Sequence, residues 1–265
     1  MLRQRVVTAA ILIPLVLAGL FGLTGGAFAL FTGAVVLLSA WEWANLAGFE
    51  RIVPRLGYVA LLALLMMAGW HSGAAHATWP LWLSAIGWLI NFYWVARYPE
   101  CREQWHAPPM RLAMGLWVLL PCWVGFIQLR ESGVEWLLYV LLLVWLADIG
   151  AYFAGRRFGR RKLAPRVSPA KSWEGVYGGL IATALLALAF SGWAELATGA
   201  RAWLVLATLL VALISVLGDL FESMLKRLRG LKDSGNLLPG HGGVLDRIDS
   251  LTAAVPLFAL FRLWG

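Results

Sequence analysis

Apolar residues in this chain fall in long runs separated by short polar segments. Nine stretches reach or approach the ~20 apolar residues that a helix needs to cross a bilayer. They cover residues 6–23, 26–47, 56–71, 78–96, 112–129, 134–154, 175–194, 202–221 and 250–264, the third and ninth being short. The pattern predicts an all-α, polytopic membrane protein with about nine transmembrane helices. The first run, preceded by Arg3 and Arg5 and followed by Ala27-Phe28-Ala29, has some marks of a signal peptide. A second apolar run follows almost at once, with no polar mature segment between, so it reads as a first span.

Composition agrees. Hydrophobic residues make up 61% of the 265 and charged ones 14%, with mean hydropathy +0.75; ordinary soluble domains run at about 45–50% and about 25%. These values exclude a disordered, fibrous or water-soluble chain of this size. The net charge of +8 in a soluble chain would point to nucleic acid. Here the basic residues sit between apolar runs. With the N-terminus inside and the C-terminus outside, nineteen of the 22 Lys and Arg residues fall on the inner side, leaving only Arg130, Arg201 and Arg262 outside. The expectation is a multi-pass protein of the inner (cytoplasmic) membrane, with membrane lipids and no nucleic acid as partners. Trp70, Trp79, Trp136 and Trp203, near span ends, fit interfacial belts. Cys101 and Cys122 are too few for a disulfide framework and read as free thiols.

The two halves differ. Residues 1–147 contain no Asp and no Lys and read as a hydrophobic scaffold. Residues 148–265, with cytoplasmic loops at 155–174 and 222–249, carry the candidate chemistry. Asp148 falls in the inner part of the sixth span, where a short acid snorkels poorly and points to a functional role. Ser168, Lys171, Ser172 and Glu174 lie in the loop before the seventh span. There Pro169 suggests a helix start, Ser172 can cap it, and Lys171 adds a point charge for phosphate. An ordinary capped helix beside a basic loop explains that patch equally well.

The segment from Ser223 to Asp249 is more specific. Asp219 stands just ahead of it near the inner end of the eighth span, while Asp246 and Asp249, three apart on one helical face, open the ninth. Three carboxylates converging at a membrane interface repel one another unless a cation joins them. Oxygen-only ligands indicate magnesium or a similar hard cation, usually held by one or two carboxylates plus substrate phosphates. Lys226, Arg227, Arg229 and Lys232 stand across a short loop, and Pro239-Gly240-His241-Gly242-Gly243 lets backbone approach a ligand closely. Together these suit phosphoryl or nucleotidyl transfer. A juxtamembrane basic cluster for anionic lipid heads would explain the cations but not the acids, the histidine and the glycines. A CTP-dependent polyprenol kinase or an ion-coupled transporter are the rival functions, the latter disfavoured because the acids are not scattered over several spans.

Ser223 to Asp249 resembles, position for position, the signature of the phosphatidate cytidylyltransferases (CDP-diacylglycerol synthases). Ser168–Gly175 and Asp148–Gly159 resemble that family's two upstream elements. The resemblance implies conversion of phosphatidate and CTP into CDP-diacylglycerol and pyrophosphate by a magnesium-dependent homodimer, with a second cation allowed; the need for CTP then puts the expected site at the cytoplasmic face. It implies Asp219 and Asp246 as metal ligands, assisted by Asp249. Lys226, Arg227 and Lys232 would hold phosphates, with Ser168, Lys171, Ser172 and Glu174 completing the nucleotide or phosphatidate site; Asp148, Asp233 and Arg247 are carried as further substrate-binding candidates. His241 either donates to the leaving pyrophosphate or stabilises its turn.

Overall fold

The computed structural model describes residues 2–264. The side chains of Arg3 and Arg5, two of the cations expected on the inner side, lie outside the described set. Among the described residues there are nine α-helices: α1 (Leu2–Gly22), α2 (Gly25–Leu46), α3 (Ile52–His71), α4 (Trp79–Ala96), α5 (Pro108–Ser132), α6 (Val134–Phe158), α7 (Trp173–Trp193), α8 (Thr198–Leu228) and α9 (Leu245–Arg262). Each coincides with one predicted apolar stretch. Six of them, α2, α3, α5, α6, α7 and α8, are long and apolar enough to cross a membrane, the signature of a multi-pass membrane protein. The apolar part of α1 covers only Ala10–Gly22, and α4 and α9 have 18 residues each, so a count of nine spans goes beyond that measure. Ala27-Phe28-Ala29 sits inside α2. Cys101 and Cys122 are free and buried, as expected.

One element departs from the all-α expectation. Residues 162–172 form a short antiparallel hairpin, β1 (Lys162–Ala164) and β2 (Ser168–Ser172), in which Lys162 pairs with Ser172 and Ala164 with Ser168. Pro169 therefore lies in a strand, and the helix starts at Trp173. Proline suits a two-stranded ribbon, whose outer edge needs no N–H donor.

The layers organise around α9. Residues 250–260 are buried without a break, because α2, α4, α5, α6 and α8 pack against it. That enclosure explains how a helix carrying Ser250, Thr252 and Pro256 can sit at the centre. The outer faces are apolar: Leu30, Val53, Leu89 and Ile181 are largely exposed, as lipid-facing side chains must be.

Small residues bring α6 and α7 into close contact. A Cβ placed on Gly178 would lie 2.3 Å from the Ala154 Cβ and 2.7 Å from the Gly150 carbonyl oxygen, and one on Gly179 would lie 2.8 Å from the Ala147 carbonyl oxygen. This contact fixes the height of Asp148 between Ala147 and Gly150. Gly178→Ala is expected to destabilise the fold by about 1–3 kcal/mol through overpacking, read as a lower unfolding temperature in detergent. Gly192→Ala on the same helix, where a Cβ meets nothing within 4 Å, should leave it unchanged or raised.

Candidate active site

The helix α8 continues past its apolar run to Leu228 and carries Asp219, Glu222, Ser223 and Lys226 on its last turns. Gly218 lets it close on the start of α9: a Cβ there would lie 2.6 Å from the Asp249 carbonyl oxygen and 3.1 Å from the Ser250 Cα. The ends of the last two helices therefore meet. The Lys226 Nζ bridges them, 2.7 Å from Glu222 Oε2 and 2.7 Å from Asp246 Oδ1. The side chains of Glu222 and Asp246 are only 3% and 5% exposed, and charges so enclosed survive only when paired.

Asp246 is anchored on its other oxygen as well. Its Oδ2 accepts from the Ser234 backbone N–H (2.9 Å), the Ser234 hydroxyl (2.9 Å) and the Gly243 N–H (2.8 Å). Asp246 stands ahead of the apolar stretch 250–264. Burial works against its charge, but the Lys226 ammonium and these donors outweigh it, so the carboxyl is held below its usual pKa.

A second lysine enters from the hairpin. The Lys171 Nζ on β2 lies 2.6 Å from Asp219 Oδ2, whose other oxygen accepts from the Ser223 hydroxyl at 3.2 Å. Asp249 lies within electrostatic reach of Asp219, Lys226 and Lys171, and Asp148 of Lys171 and Asp219. Asp148, Lys171, Asp219, Lys226, Asp246 and Asp249 thus gather at one junction, together with Glu222.

The remaining candidates separate into two groups. Ser172, Glu174 and Arg227 hold the hairpin. The Ser172 Oγ caps α7 by accepting from the Gly175 N–H at 3.2 Å. Glu174 accepts from the backbone N–H groups of Arg160 and Arg161 and pairs with the Arg161 Nε. The Arg227 Nε donates to the Val167 carbonyl at 3.1 Å, and Ser168 pairs within the ribbon. Lys232, Asp233, His241 and Arg247 instead line a polar cavity of about 590 Å³ with Asn236 and Gly242. Its wall backs onto the junction, since a Cβ on Gly242 would lie 2.9 Å from Asp246 Oδ2. The turn at 238–242 is closed by backbone bonds between Leu238, His241 and Gly242. The buried Nδ1 of His241 has no hydrogen-bond partner among the described residues.

Two participants escaped the sequence reading. Glu222 is marked by its i,i+4 spacing to Lys226. Glu42 on α2 is the only charged residue in the second apolar run, which is itself a signal. Its Oε2 accepts from the Leu245 N–H at 2.8 Å.

Among the described residues, no three His, Cys, Asp or Glu side chains stand together as a metal-ligating group. Asp219 and Asp246 are each neutralised by a lysine. The donors are nonetheless hard oxygens, and Asp219 with Asp249 offers two carboxylates from adjacent helices. That set fits a magnesium ion completed by substrate phosphates.

A junction of paired carboxylates and lysines at one end of a helical membrane bundle defines a class of site suited to anionic substrates. The chain belongs to the cytidylyltransferase family, which it matches over residues 3–264. It is 51% identical to the phosphatidate cytidylyltransferase of Pseudomonas aeruginosa, with 100% of this chain and 98% of that protein covered. It is 43% identical to the phosphatidate cytidylyltransferase of Haemophilus influenzae, with 98% of each covered. Identity to the Brucella suis phosphatidate cytidylyltransferase is 36%, over 98% of this chain and 93% of that one.

Lys226→Met leaves Glu222 and Asp246 buried without their shared ammonium. It is expected to cost about 3–5 kcal/mol, measured as a drop in unfolding free energy in mixed micelles; an unchanged value contradicts the pairing.

Proposed function

We propose that this chain transfers the cytidylyl group of CTP to phosphatidate, giving CDP-diacylglycerol and pyrophosphate. The observation that carries this reading is the junction where Lys171 and Lys226 are held on Asp219, Glu222 and Asp246. An oxygen of the phosphatidate phosphate forms a bond to the α-phosphorus of CTP. The bond from that phosphorus to the bridging oxygen breaks, and pyrophosphate departs. A phosphomonoester with second pKa near ~6 is mostly dianionic at neutral pH, so no strong general base is needed. The barrier is the approach of a dianion to a highly anionic triphosphate, which places the catalytic demand on cations and alignment.

Lys171 and Lys226 are set to receive phosphate oxygens as their carboxylate partners give way. Five acidic side chains (Asp148, Asp219, Glu222, Asp246 and Asp249) face these two ammonium groups, a surplus of acids whose mutual repulsion a divalent cation would relieve. Magnesium would be held by Asp219 with Asp246 or Asp249, and would neutralise charge on the triphosphate and its leaving group. A second cation has room in the same surplus. Lys232, Arg247 and His241 supply donors to the nucleotide in the polar cavity. Asp233 lines the same space, and Ser168, Ser172, Glu174 and Arg227 act by fixing the ribbon that carries Lys171.

The lipid has an apolar route. A cavity of about 1120 Å³ is lined by Trp88 and Phe92 of α4, Trp173 and Val176 of α7, and Leu213 and Leu217 of α8, and ends at residues 163–167 of the hairpin. Acyl chains resting there leave the headgroup beside β2. CTP availability and the positive-inside count support a site facing the cytoplasm at the inner membrane. The same count supports nine spans with the N-terminus in and the C-terminus out. A homodimer is retained from the family resemblance.

The test uses purified protein, phosphatidate, magnesium and CTP labelled on the α- or the γ-phosphate. Label from the α position should enter the lipid and γ label should leave as pyrophosphate. Lipid that takes γ label overturns the reading in favour of a kinase; solute movement without any nucleotide-linked lipid overturns it in favour of a transporter. Asp219→Asn and Asp246→Asn should each lower kcat about 100-fold or more. Lys232→Ala should raise KM for CTP or phosphatidate about tenfold, and an unchanged profile would remove Lys232 from the site.

A further inference from the structure

The half of the chain without Asp or Lys still reaches the junction through a single buried acid. Glu42, 1% exposed on α2, meets the segment that joins α8 to α9. Its Oε2 accepts from the backbone N–H of Leu245, the first residue of α9, at 2.8 Å. The Ser234 hydroxyl lies 3.3 Å from the same oxygen and 2.9 Å from Asp246 Oδ2. One hydroxyl thus stands between a carboxylate of the membrane bundle and a carboxylate of the junction.

The connecting segment is shaped around this acid. A Cβ on Gly235 would lie 2.3 Å from Glu42 Oε1, and one on Gly243 would lie 2.5 Å from Oε2. Both distances are inside contact, so a side chain at either position would push the Glu42 carboxyl out of the seat that the loop backbone forms on two sides. Gly243 also donates its N–H to Asp246 Oδ2 at 2.8 Å. Ser234 and Gly243 therefore touch Glu42 and bond Asp246 at once. A carboxylate this enclosed that only stabilised α2 would need no such wrapping by residues roughly 200 positions away.

We infer that Glu42 is a positioning residue: it fixes residues 234–245 so that Ser234 and Gly243 hold Asp246 against Lys226. It touches no substrate and acts through the loop. The inference rests on the reading of Asp246 as part of the catalytic junction.

The experiment compares Glu42→Ala, Glu42→Gln and Ser234→Ala with the unaltered enzyme. Backbone hydrogen exchange is followed in the protein without magnesium or substrate, and kcat, KM for CTP and the magnesium dependence are measured. In Glu42→Ala, exchange should quicken at least about tenfold across 231–246 while α3–α7 are unaffected. The same variant should lose about 30-fold in kcat, with KM for CTP within about threefold, and need several-fold more magnesium. Glu42→Gln keeps an oxygen that accepts from the Leu245 N–H and should recover most of the protection and rate. Ser234→Ala should show a smaller loss of the same kind.

Unchanged exchange at 231–246 in Glu42→Ala overturns the inference, as does faster exchange there with kcat and magnesium dependence unmoved. If the alanine variant does not accumulate, the other two decide: full kcat and unshifted magnesium dependence in Ser234→Ala would overturn the inference. Asp246→Asn distinguishes the parent reading. Full activity in that variant removes Asp246 from catalysis, while the exchange data still show whether Glu42 holds the loop.

Discussion

A single ammonium group shared by two carboxylates sets the terms for this structure. Lys226 and Glu222 belong to α8, Asp246 to α9, and the side chains of both acids are nearly removed from solvent. Ions taken out of water are tolerated only when the pairing is close and the remaining lone pairs are satisfied. The end of α8, the loop of residues 231–244 and the start of α9 are therefore ordered together or not at all. Gly218 makes this possible by letting the two helices touch, and the hairpin adds the second pair through Lys171 and Asp219. Once those contacts form, the lysines stand ready beside the carboxylates on one side of the bundle.

This arrangement gives the membrane environment a chemical purpose. The apolar cavity between α4, α7 and α8 is bounded by residues 163–167 of the hairpin that carries Lys171, so in the proposed reaction a lipid headgroup would reach the junction without its acyl chains leaving an apolar setting. On the proposed reading, the polar cavity on the other side of Asp246 would keep the nucleotide in contact with water. A reaction between a lipid phosphate and a soluble triphosphate needs that division. The carboxylate-lysine pairs hold the two ammonium groups in place where the helix ends meet the hairpin.

Much of this was legible in the amino-acid order, for a physical reason. Apolar runs of spanning length leave few alternatives to helices in lipid, and all nine predicted stretches coincide with helices. The carboxylates and lysines of the last two helix ends were visible because charge beside a span is costly and therefore informative. The hairpin was not visible: residues 162–172 are short, basic and polar, with no period-2 apolar pattern, and Pro169 argued for a helix start. The roles of Glu174 and Arg227 depended on that hairpin, so they could not be separated from ligand contacts. Glu42 was passed over because its run reads as scaffold, and its partners, Ser234 and Leu245, are about 200 residues distant.

The most direct measurement is a double-mutant cycle on Lys226 and Asp246, with unfolding free energy read in mixed micelles for Lys226→Met, Asp246→Asn and the combination. The double variant should be less destabilised than the sum of the single ones by at least about 2 kcal/mol, because each single change strands the other's charge or polar group in a closed interface. Additive losses would show that the two side chains do not depend on each other, and the junction would cease to be the organising contact of the site.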